Sequence, residues 1–278
     1  MNKFIKPLLQ IGLHGGGFHH STSSTLDKVP KYVRWVKNKV IDSNCFVDEA
    51  IHVGMDVKCT HKIAWLLEWT DIVTATHGQD AFSFVKNNHE AVSKEYDYVF
   101  TYHKELVGLH DNFIFMPGYG YWVKNPGLHP KSKLVSMVSS GKGFTDGHRY
   151  RLSWVQKLKD KVDLYGREFN FIQDKDEGVN DYMFSVAMEN ASYASWWTEK
   201  LLDCFVAGTV PIYWGDPEIS EYFNPDGMIF LDDNFNVESL NEDEYVKRKD
   251  AIRENFHIAL QYDVIEDIMY DKYLKDFV

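Results

Sequence analysis

Short runs of hydrophobic residues alternate along the chain with stretches in which hydrophobic residues recur every three or four positions. The short runs have the length of β-strands, and the periodic stretches have the spacing of amphipathic α-helices. Strands are predicted at residues 5–13, 51–55, 62–67, 98–101, 113–116, 133–139, 162–165, 184–188 and 210–214. Helices are predicted at 32–40, 81–93 and 149–159, between Thr198 and Gly208, and in the tail from Glu238 onward. This alternation is typical of α/β domains.

A segment rich in proline and glycine interrupts the alternation at residues 117–130. Such a composition is typical of turns and linkers. We therefore expect two Rossmann-like α/β domains, residues 1–128 and 129–278, that face each other across a cleft. The tail helix could pack back onto the N-terminal domain.

The unit around residues 184–214 carries the clearest chemical information. A predicted strand ends at Glu189 and Asn190, and Thr198 is a good N-cap for the helix that Glu199 and Lys200 open. Ligands of open α/β folds bind at the carboxyl ends of such strands. The helix N-terminus and Lys200 would both favour a phosphate there.

The same unit resembles the signature of a known family. It reads Glu-Asn, a short aromatic loop, Thr-Glu-Lys, an apolar stripe and Gly-x-x-Pro-Ile-Tyr-Trp-Gly, and continues through Asp216-Pro217 and Phe223-Asn224-Pro225. This order resembles family 10 glycosyltransferases, the α1,3/α1,4-fucosyltransferases, and in particular their soluble microbial or viral type. The resemblance implies a GT-B fold, with the nucleotide-sugar donor in the C-terminal half and the acceptor in the N-terminal half.

The resemblance also implies roles for individual residues on the donor side. Arg151, Trp154 and Leu158 fit the family spacing Arg-x-x-aromatic-x-x-x-Leu, so Arg151 is expected at the donor phosphates, with Arg149 as the second choice. Glu199 is expected as a catalytic carboxylate beside the donor sugar. The other expected donor contacts are Lys200, Asn190, Trp196, Glu189 and Tyr193.

Glycosyl transfer also needs a group that takes the proton of the acceptor hydroxyl. Glu68 follows the predicted strand 62–67, and in the resembled enzymes the base is a Glu that ends a comparable strand. Glu68 is therefore the predicted general base, and Asp71 and Asp80 are the alternatives.

Net charge and cysteine usage argue against several other classes of protein. The net charge of −11 disfavours a general nucleic-acid binder. Three widely spaced cysteines disfavour a disulfide framework and indicate a reducing compartment. No apolar run is long enough for a membrane span. We therefore expect a cytoplasmic protein.

The sequence also contains partial motifs of a hydrolase and of a metal site. A hydrolase could use the His-Gly-Gly-Gly loop at 14–17, but the Gly-x-Ser-x-Gly nucleophile motif is missing. The histidines at 14, 19 and 20 and the Asp-x-Asp string at 174–176 could hold a metal, but we interpret them, like the pair Asp232-Asp233, as loop residues. No cofactor is expected to be required, although a divalent cation could stimulate turnover.

The predicted function is that of an inverting glycosyltransferase. It would move L-fucose from GDP-fucose to a glycan hydroxyl, and GDP-fucose enters this prediction through the resemblance. The alternatives are a transferase that uses another nucleotide sugar and a noncatalytic nucleotide- or carbohydrate-binding protein.

Overall fold

The computed structural model describes residues 8–14, 23–37, 44–47 and 51–277. The chain divides into two compact units, Met1–Tyr119 together with Val264–Val278, and Gly120–Asp263. The division was predicted after residue 128, in the same proline- and glycine-rich segment. Of the loop predicted at 14–20, residues 15–20 lie outside the described residues, and only the backbone of His14 is described.

The first unit is built on a parallel sheet whose described strands have the order β2-β1-β3-β4-β5-β6. The strands are β1 (Leu9–His14), β2 (Val33–Lys37), β3 (Asn44–Val47), β4 (His61–Leu66), β5 (Tyr98–Thr101) and β6 (Phe113–Phe115). The helices are α1 (Ile51–Gly54), α2 (Thr70–His77), α3 (Ala81–Asn87) and α4 (His89–Glu95). The strands predicted at 62–67, 98–101 and 113–116 are confirmed.

Two predicted elements in this unit have the wrong type. Residues 32–40 were predicted as a helix, but β2 (Val33–Lys37) is a strand that pairs with β1. Val33 and Trp35 are buried while Arg34 is exposed, so the burial has the two-residue period of a strand. The strand predicted at 51–55 is the short helix α1, in which Ile51 and Gly54 are buried and Val53 is exposed. Burial with a three-residue spacing is helical.

The helix predicted at 81–93 is two helices that meet at Asn88. Asn88 leaves the helical conformation, with φ −124° and ψ 22°. Its side-chain amide donates to Phe84 O at 2.8 Å and so occupies a carbonyl of the preceding turn. Asn hydrogen-bonds the backbone in this way at helix ends, which explains the break.

The second unit is also an α/β unit with a parallel sheet, in the order β11-β10-β9-β7-β8. Its strands are β7 (Lys133–Val138), β8 (Asp163–Tyr165), β9 (Tyr182–Met188), β10 (Val210–Trp214) and β11 (Ile229–Phe230). Its helices are α5 (Asp146–Leu158), α6 (Asp176–Val179), α7 (Glu199–Val206), α8 (Glu242–Val246) and α9 (Lys249–Ala259). Single 3-10 turns cover Ile219–Glu221, Pro225–Gly227 and Val237–Ser239.

The helix between Thr198 and Gly208 forms as predicted. The apolar stripe of α7 is fully buried against the central strands, and its members are Leu201, Leu202, Phe205 and Val206. Gly208 follows the helix at φ +69°, a left-handed conformation that glycine adopts without strain. This packing fixes the N-terminus of α7 at the carboxyl edge of the sheet.

The C-terminal residues belong to the first unit, where they form α10 (Ile265–Met269), a π-helical turn (Tyr270–Leu274) and a 3-10 turn (Lys275–Phe277). Glu266 in α10 is completely buried. Its carboxylate accepts hydrogen bonds from Ser24 N at 2.6 Å, Ser23 Oγ at 3.1 Å and Trp35 Nε1 at 3.1 Å. These bonds satisfy the buried carboxylate and tie α10 to the N-terminal segment.

Among the helices of the described residues, none has the length and apolar character needed to cross a membrane.

Candidate active site

Three neighbouring strands of the second unit end at one edge of the sheet and place polar residues there. β7 is followed by Ser139 and Ser140, and β9 is followed by Glu189 and Asn190. β10 ends at Trp214, whose carbonyl accepts a hydrogen bond from Glu189 N at 2.9 Å. The carboxyl edge of a parallel sheet is where open α/β folds bind ligands.

Arg151 on α5 joins two of these strand ends. Its Nη1 donates to Asn190 Oδ1 at 2.7 Å, and its Nη2 donates to Ser140 Oγ at 3.1 Å. The residue is 4% exposed, and its Nε has no hydrogen-bond partner among the residues that the structure describes. Burial lowers the pKa of Arg151, and Glu189 and Glu199 oppose that effect. The guanidinium remains charged at neutral pH.

Arg149, the second choice for the phosphate site, has a different environment. Its side chain is exposed and pairs with Asp146. Its Nη1 donates to Gly143 O at 3.2 Å and to Phe144 O at 3.3 Å. These contacts are with the loop that precedes α5, whereas Arg151 contacts the strand ends.

The start of α5 packs closely on the end of β9. Thr145 is the N-cap of α5, and its hydroxyl donates to Asn190 O at 3.3 Å. A Cβ on Gly147 would lie 1.9 Å from Asn190 O, so only glycine permits this approach. The first turn of α5 therefore lies against Asn190.

His148, in that first turn, was missed by the sequence analysis. It is buried, and its Nδ1 lies 2.7 Å from Thr145 Oγ1. Burial, followed by the charges of Arg151 and Lys200, lowers the pKa of His148 to about 4. The predicted helix began only at residue 149, so its capped first turn was left out. A Thr three residues before His148 was the signal that could have found it.

Thr198 caps α7, as predicted, and Glu189 binds the cap. Glu189 is completely buried. Its Oε1 accepts from Thr198 N at 2.8 Å, and its Oε2 accepts from Thr198 Oγ1 at 2.7 Å. Gly215 makes room for this carboxyl group, because a Cβ there would lie 2.5 Å from Glu189 Cγ.

Lys200 lies between two carboxylates. Its Nζ donates to Thr198 Oγ1 at 2.9 Å and to Glu199 Oε1 at 3.1 Å, and it lies 3.4 Å from Glu189 Oε2. The Lys200 side chain is 20% exposed. An ammonium group that is mostly buried among three oxygens has a well-defined position.

The two carboxylates beside Lys200 differ in acidity. Burial raises the pKa of Glu189, with Lys200 opposing this effect and Glu199 adding to it. Burial also disfavours ionisation of Glu199, but Lys200 and Lys175 outweigh it and hold the pKa of Glu199 below its ordinary value. Glu199 is therefore the carboxylate of the pair that is more strongly held in the ionised form.

Lys175 is a second cation near α7 that the sequence analysis missed. Its Nζ lies 3.4 Å from Asp203 Oδ2 and 5.5 Å from the ring centroid of Trp122. Asp203 is buried and accepts from Trp122 N at 2.6 Å and Val123 N at 3.0 Å. Only the tertiary structure brings this lysine close to Glu199, because 24 residues separate them along the chain.

The two predicted aromatic contacts lie in the loop between β9 and α7. Trp196 is 1% exposed and packs in the interior, and its backbone N–H donates to Tyr193 O at 3.3 Å. Tyr193 is half-buried and is the more accessible of the two rings. Ser195 has φ +62°, an uncommon conformation for a residue with a side chain, and its hydroxyl accepts from Tyr222 OH at 2.8 Å.

The Asp-x-Asp string is occupied by contacts within the protein. Asp174 pairs with Lys124, and Asp176 accepts from the backbone N–H groups of Lys124 at 2.8 Å and Asn125 at 2.9 Å. Across residues 8–14, 23–37, 44–47 and 51–277, no three His, Cys, Asp or Glu side chains form a group that could hold a metal ion. Independence from metal stays a prediction.

The predicted base, Glu68, lies in the first unit, two residues before α2 begins. Its Oε1 accepts from Trp69 N at 2.9 Å, and its Oε2 accepts from Tyr119 OH at 3.1 Å. Of the alternative bases, Asp80 caps α3 by accepting from Ser83 N at 3.1 Å and Ser83 Oγ at 2.6 Å. Asp71 is exposed in the first turn of α2.

Comparison with known proteins identifies the family of the chain that carries this site. A sequence model described as glycosyltransferase family 10 (fucosyltransferase) C-term matches residues 128–267, which include Arg151, Asn190 and Lys200. The chain belongs to glycosyltransferase family 10. The resemblance seen in the sequence is thus confirmed.

Individual relatives match over shorter stretches. An α-(1,3)-fucosyltransferase FucT of Helicobacter pylori is 34% identical over 62 residues, 22% of this chain and 13% of that protein. A putative fucosyltransferase-like protein of Arabidopsis thaliana is 32% identical over 114 residues, 38% of this chain and 22% of that protein. The chain thus matches less than a quarter of the length of either relative.

Solved structures show that the fold is shared. A crystal structure of an α1,3-fucosyltransferase aligns with a TM-score of 0.53 at 16% identity, covering 100% of this chain and 91% of that one. A crystal structure of an α1,3-fucosyltransferase with GDP aligns with a TM-score of 0.53 at 16% identity, over 95% and 94% of the two chains. The predicted fold class, GT-B-like with two Rossmann-like units, is confirmed.

Proposed function

We propose that this protein is an inverting glycosyltransferase that moves L-fucose from GDP-fucose to a glycan hydroxyl. The observation that carries the proposal is the buried Arg151, which joins Asn190 and Ser140 at the edge where Thr198 and Lys200 begin α7. Membership of family 10 supports the sugar, and the GDP complex of a structural relative supports the nucleotide.

The donor diphosphate would bind between Arg151 and Lys200. A guanidinium suits phosphate oxygens because its N–H groups form a planar fork. The N-termini of α5 and α7 add partial positive charge at the same edge. As the bond from the sugar to the diphosphate breaks, negative charge develops on the diphosphate, and cations already in place stabilise it.

Glu199 would act on the sugar. Its carboxylate is held in the ionised form by Lys200 and Lys175 despite burial. An ionised carboxylate can accept hydrogen bonds from hydroxyl groups of the donor. It also favours the positive charge that develops at the anomeric carbon, so Glu199 would lower the barrier to transfer.

Glu68 would act on the acceptor. In an inverting transfer, the acceptor oxygen forms its bond to the anomeric carbon on the face opposite the diphosphate. Glu68 would take the hydroxyl proton as that bond forms, and GDP would leave with the bonding electrons. The hydrogen bond from Tyr119 OH to Oε2 holds the carboxyl group in one orientation.

A panel of nucleotide sugars tests the proposal. The purified protein is incubated with GDP-fucose, GDP-mannose, UDP-galactose and UDP-N-acetylglucosamine on an array of glycan acceptors, and transfer is read by mass spectrometry. The proposal expects transfer from GDP-fucose, with inversion established by NMR of the new linkage. Transfer from another donor would identify a different sugar specificity, and binding without transfer to any acceptor would favour the noncatalytic alternative.

A further inference from the structure

Glu189 was predicted as a donor contact, but its position is in the interior. It is completely buried, and both of its oxygens accept hydrogen bonds from Thr198, one from the backbone and one from the hydroxyl. Both oxygens of its carboxyl group are therefore engaged in hydrogen bonds within the protein. Any effect of Glu189 on donor binding therefore has to be indirect, through residues that contact the donor.

The hydroxyl of Thr198 provides that link. It has a single hydrogen, which the 2.7 Å bond directs to Glu189 Oε2. The lone pairs of Thr198 Oγ1 are then available to Lys200, whose Nζ lies at 2.9 Å. Because an ammonium can only donate, Thr198 Oγ1 accepts from Lys200, and Glu189 Oε2 takes the hydroxyl hydrogen and keeps it away from the ammonium.

We infer that Glu189 is a positioning residue that fixes the Lys200 ammonium, both through Thr198 and by its own charge 3.4 Å away. This inference rests on the proposed function, in which Lys200 meets the donor diphosphate. Gly215 leaves room for this arrangement, because a Cβ there would lie 2.4 Å from Tyr213 Oη and 2.5 Å from Glu189 Cγ.

The substitution Glu189→Gln distinguishes a positioning role from a purely electrostatic one, because the two roles predict opposite changes in GDP affinity. GDP is anionic, so removing a nearby negative charge should by itself tighten GDP binding. The geometry gives the opposite expectation, because three donors converge on this carboxylate: Thr198 N–H, Thr198 O–H and Lys200 Nζ. In one orientation the amide NH₂ faces Thr198 N–H and pushes away the cap residue that accepts from Lys200. In the other orientation it faces Thr198 O–H and Lys200 Nζ directly, so in both cases the contacts that hold Lys200 are disturbed.

Calorimetry with GDP measures the effect in the wild type, Glu189→Gln, Lys200→Ala and the double variant. We expect Glu189→Gln to weaken GDP binding about tenfold, within the range of coupling between residues in one network. In the Lys200→Ala background the same substitution should change binding less than twofold. Thr198→Val should behave like Glu189→Gln, and Thr198→Ser, which keeps the hydroxyl, should stay within twofold of the wild type.

Lysine labelling gives a second readout that does not need GDP. Lys200 should react with acetic anhydride several-fold faster in Glu189→Gln than in the wild type, because an amine released from its contacts with Thr198 and Glu189 is more accessible to the reagent. Mass spectrometry locates the label, and thermal unfolding checks that each variant is folded. If Glu189→Gln does not fold, the Thr198→Val and Thr198→Ser pair decides.

Two results would overturn the inference. One is a folded Glu189→Gln that binds GDP as tightly as the wild type or more tightly. The other is that Glu189→Gln weakens GDP binding by the same factor in the Lys200→Ala background as in the wild type. A wild-type protein that does not bind GDP would instead refute the proposed function, and the labelling rates would still decide whether Glu189 holds Lys200.

Discussion

Replacing Arg151 tests the donor site most directly. Arg151 is 4% exposed, and its guanidinium donates to Asn190 Oδ1 at 2.7 Å and to Ser140 Oγ at 3.1 Å. Lysine keeps the charge but has a single nitrogen, so it cannot reproduce the fork that spans these two strand ends. Arg151→Lys therefore removes geometry while leaving the formal charge in place.

The size of the effect follows from the hydrogen bonds that are lost. A hydrogen bond to a charged group contributes about 1.5–3 kcal/mol. If the diphosphate accepts one such bond from Arg151, its loss should weaken GDP binding roughly 10- to 150-fold, since 1.4 kcal/mol is a factor of ten. Stability should also fall by about 1–3 kcal/mol, because Asn190 and Ser140 lose their partner.

Arg149 supplies the matched control. It lies two residues earlier on the same helix, but it is exposed and bonds the loop at Gly143 and Phe144. Isothermal titration calorimetry with GDP should show Arg149→Lys within twofold of the wild type. Equal losses for the two variants, or no loss for folded Arg151→Lys, would refute the assignment of the phosphate site to Arg151.

Three further predictions concern the base, the metal and pH. Glu68→Gln should reduce transfer to the acceptor roughly 10²–10⁴-fold, with GDP affinity unchanged by calorimetry; near-normal transfer would reject Glu68 and turn the search to Asp71. EDTA should leave transfer from GDP-fucose measurable, and complete loss that is restored by one divalent ion would contradict metal independence. The pKa of His148 is lowered to about 4 in the folded protein, below the ordinary pKa that the residue has in the unfolded chain. Between these two pKa values the unfolded chain binds more protons than the folded protein, so the free energy of unfolding falls as the pH falls. Urea unfolding at pH 7 and pH 5 should therefore show a smaller loss of stability for His148→Gln than for the wild type, and equal losses would exclude this histidine.

The sequence determined the unit from β9 to β10 because its signals are local. A buried parallel strand is a continuous apolar run, Thr198 is an N-cap, and Gly208 adopts the left-handed conformation that ends a helix. The spacing implied by the family resemblance also favoured Arg151 over Arg149. Residues two positions apart on a helix point in different directions, so one of them contacts Asn190 and the other contacts its own loop.

Tertiary packing decided the rest. The segment Val33–Lys37 has hydrophobic residues at helical spacing, but it pairs with the strand β1 and buries Val33 and Trp35 at the two-residue spacing of a strand. Lys175 approaches Glu199, and α10 returns to the first unit, through contacts between residues far apart along the chain. Glu189 was expected to meet a ligand, yet its carboxyl group lies beneath the cap of α7. The sequence places a polar residue at a strand end, but only the neighbouring helix decides whether its side chain faces a ligand or another residue.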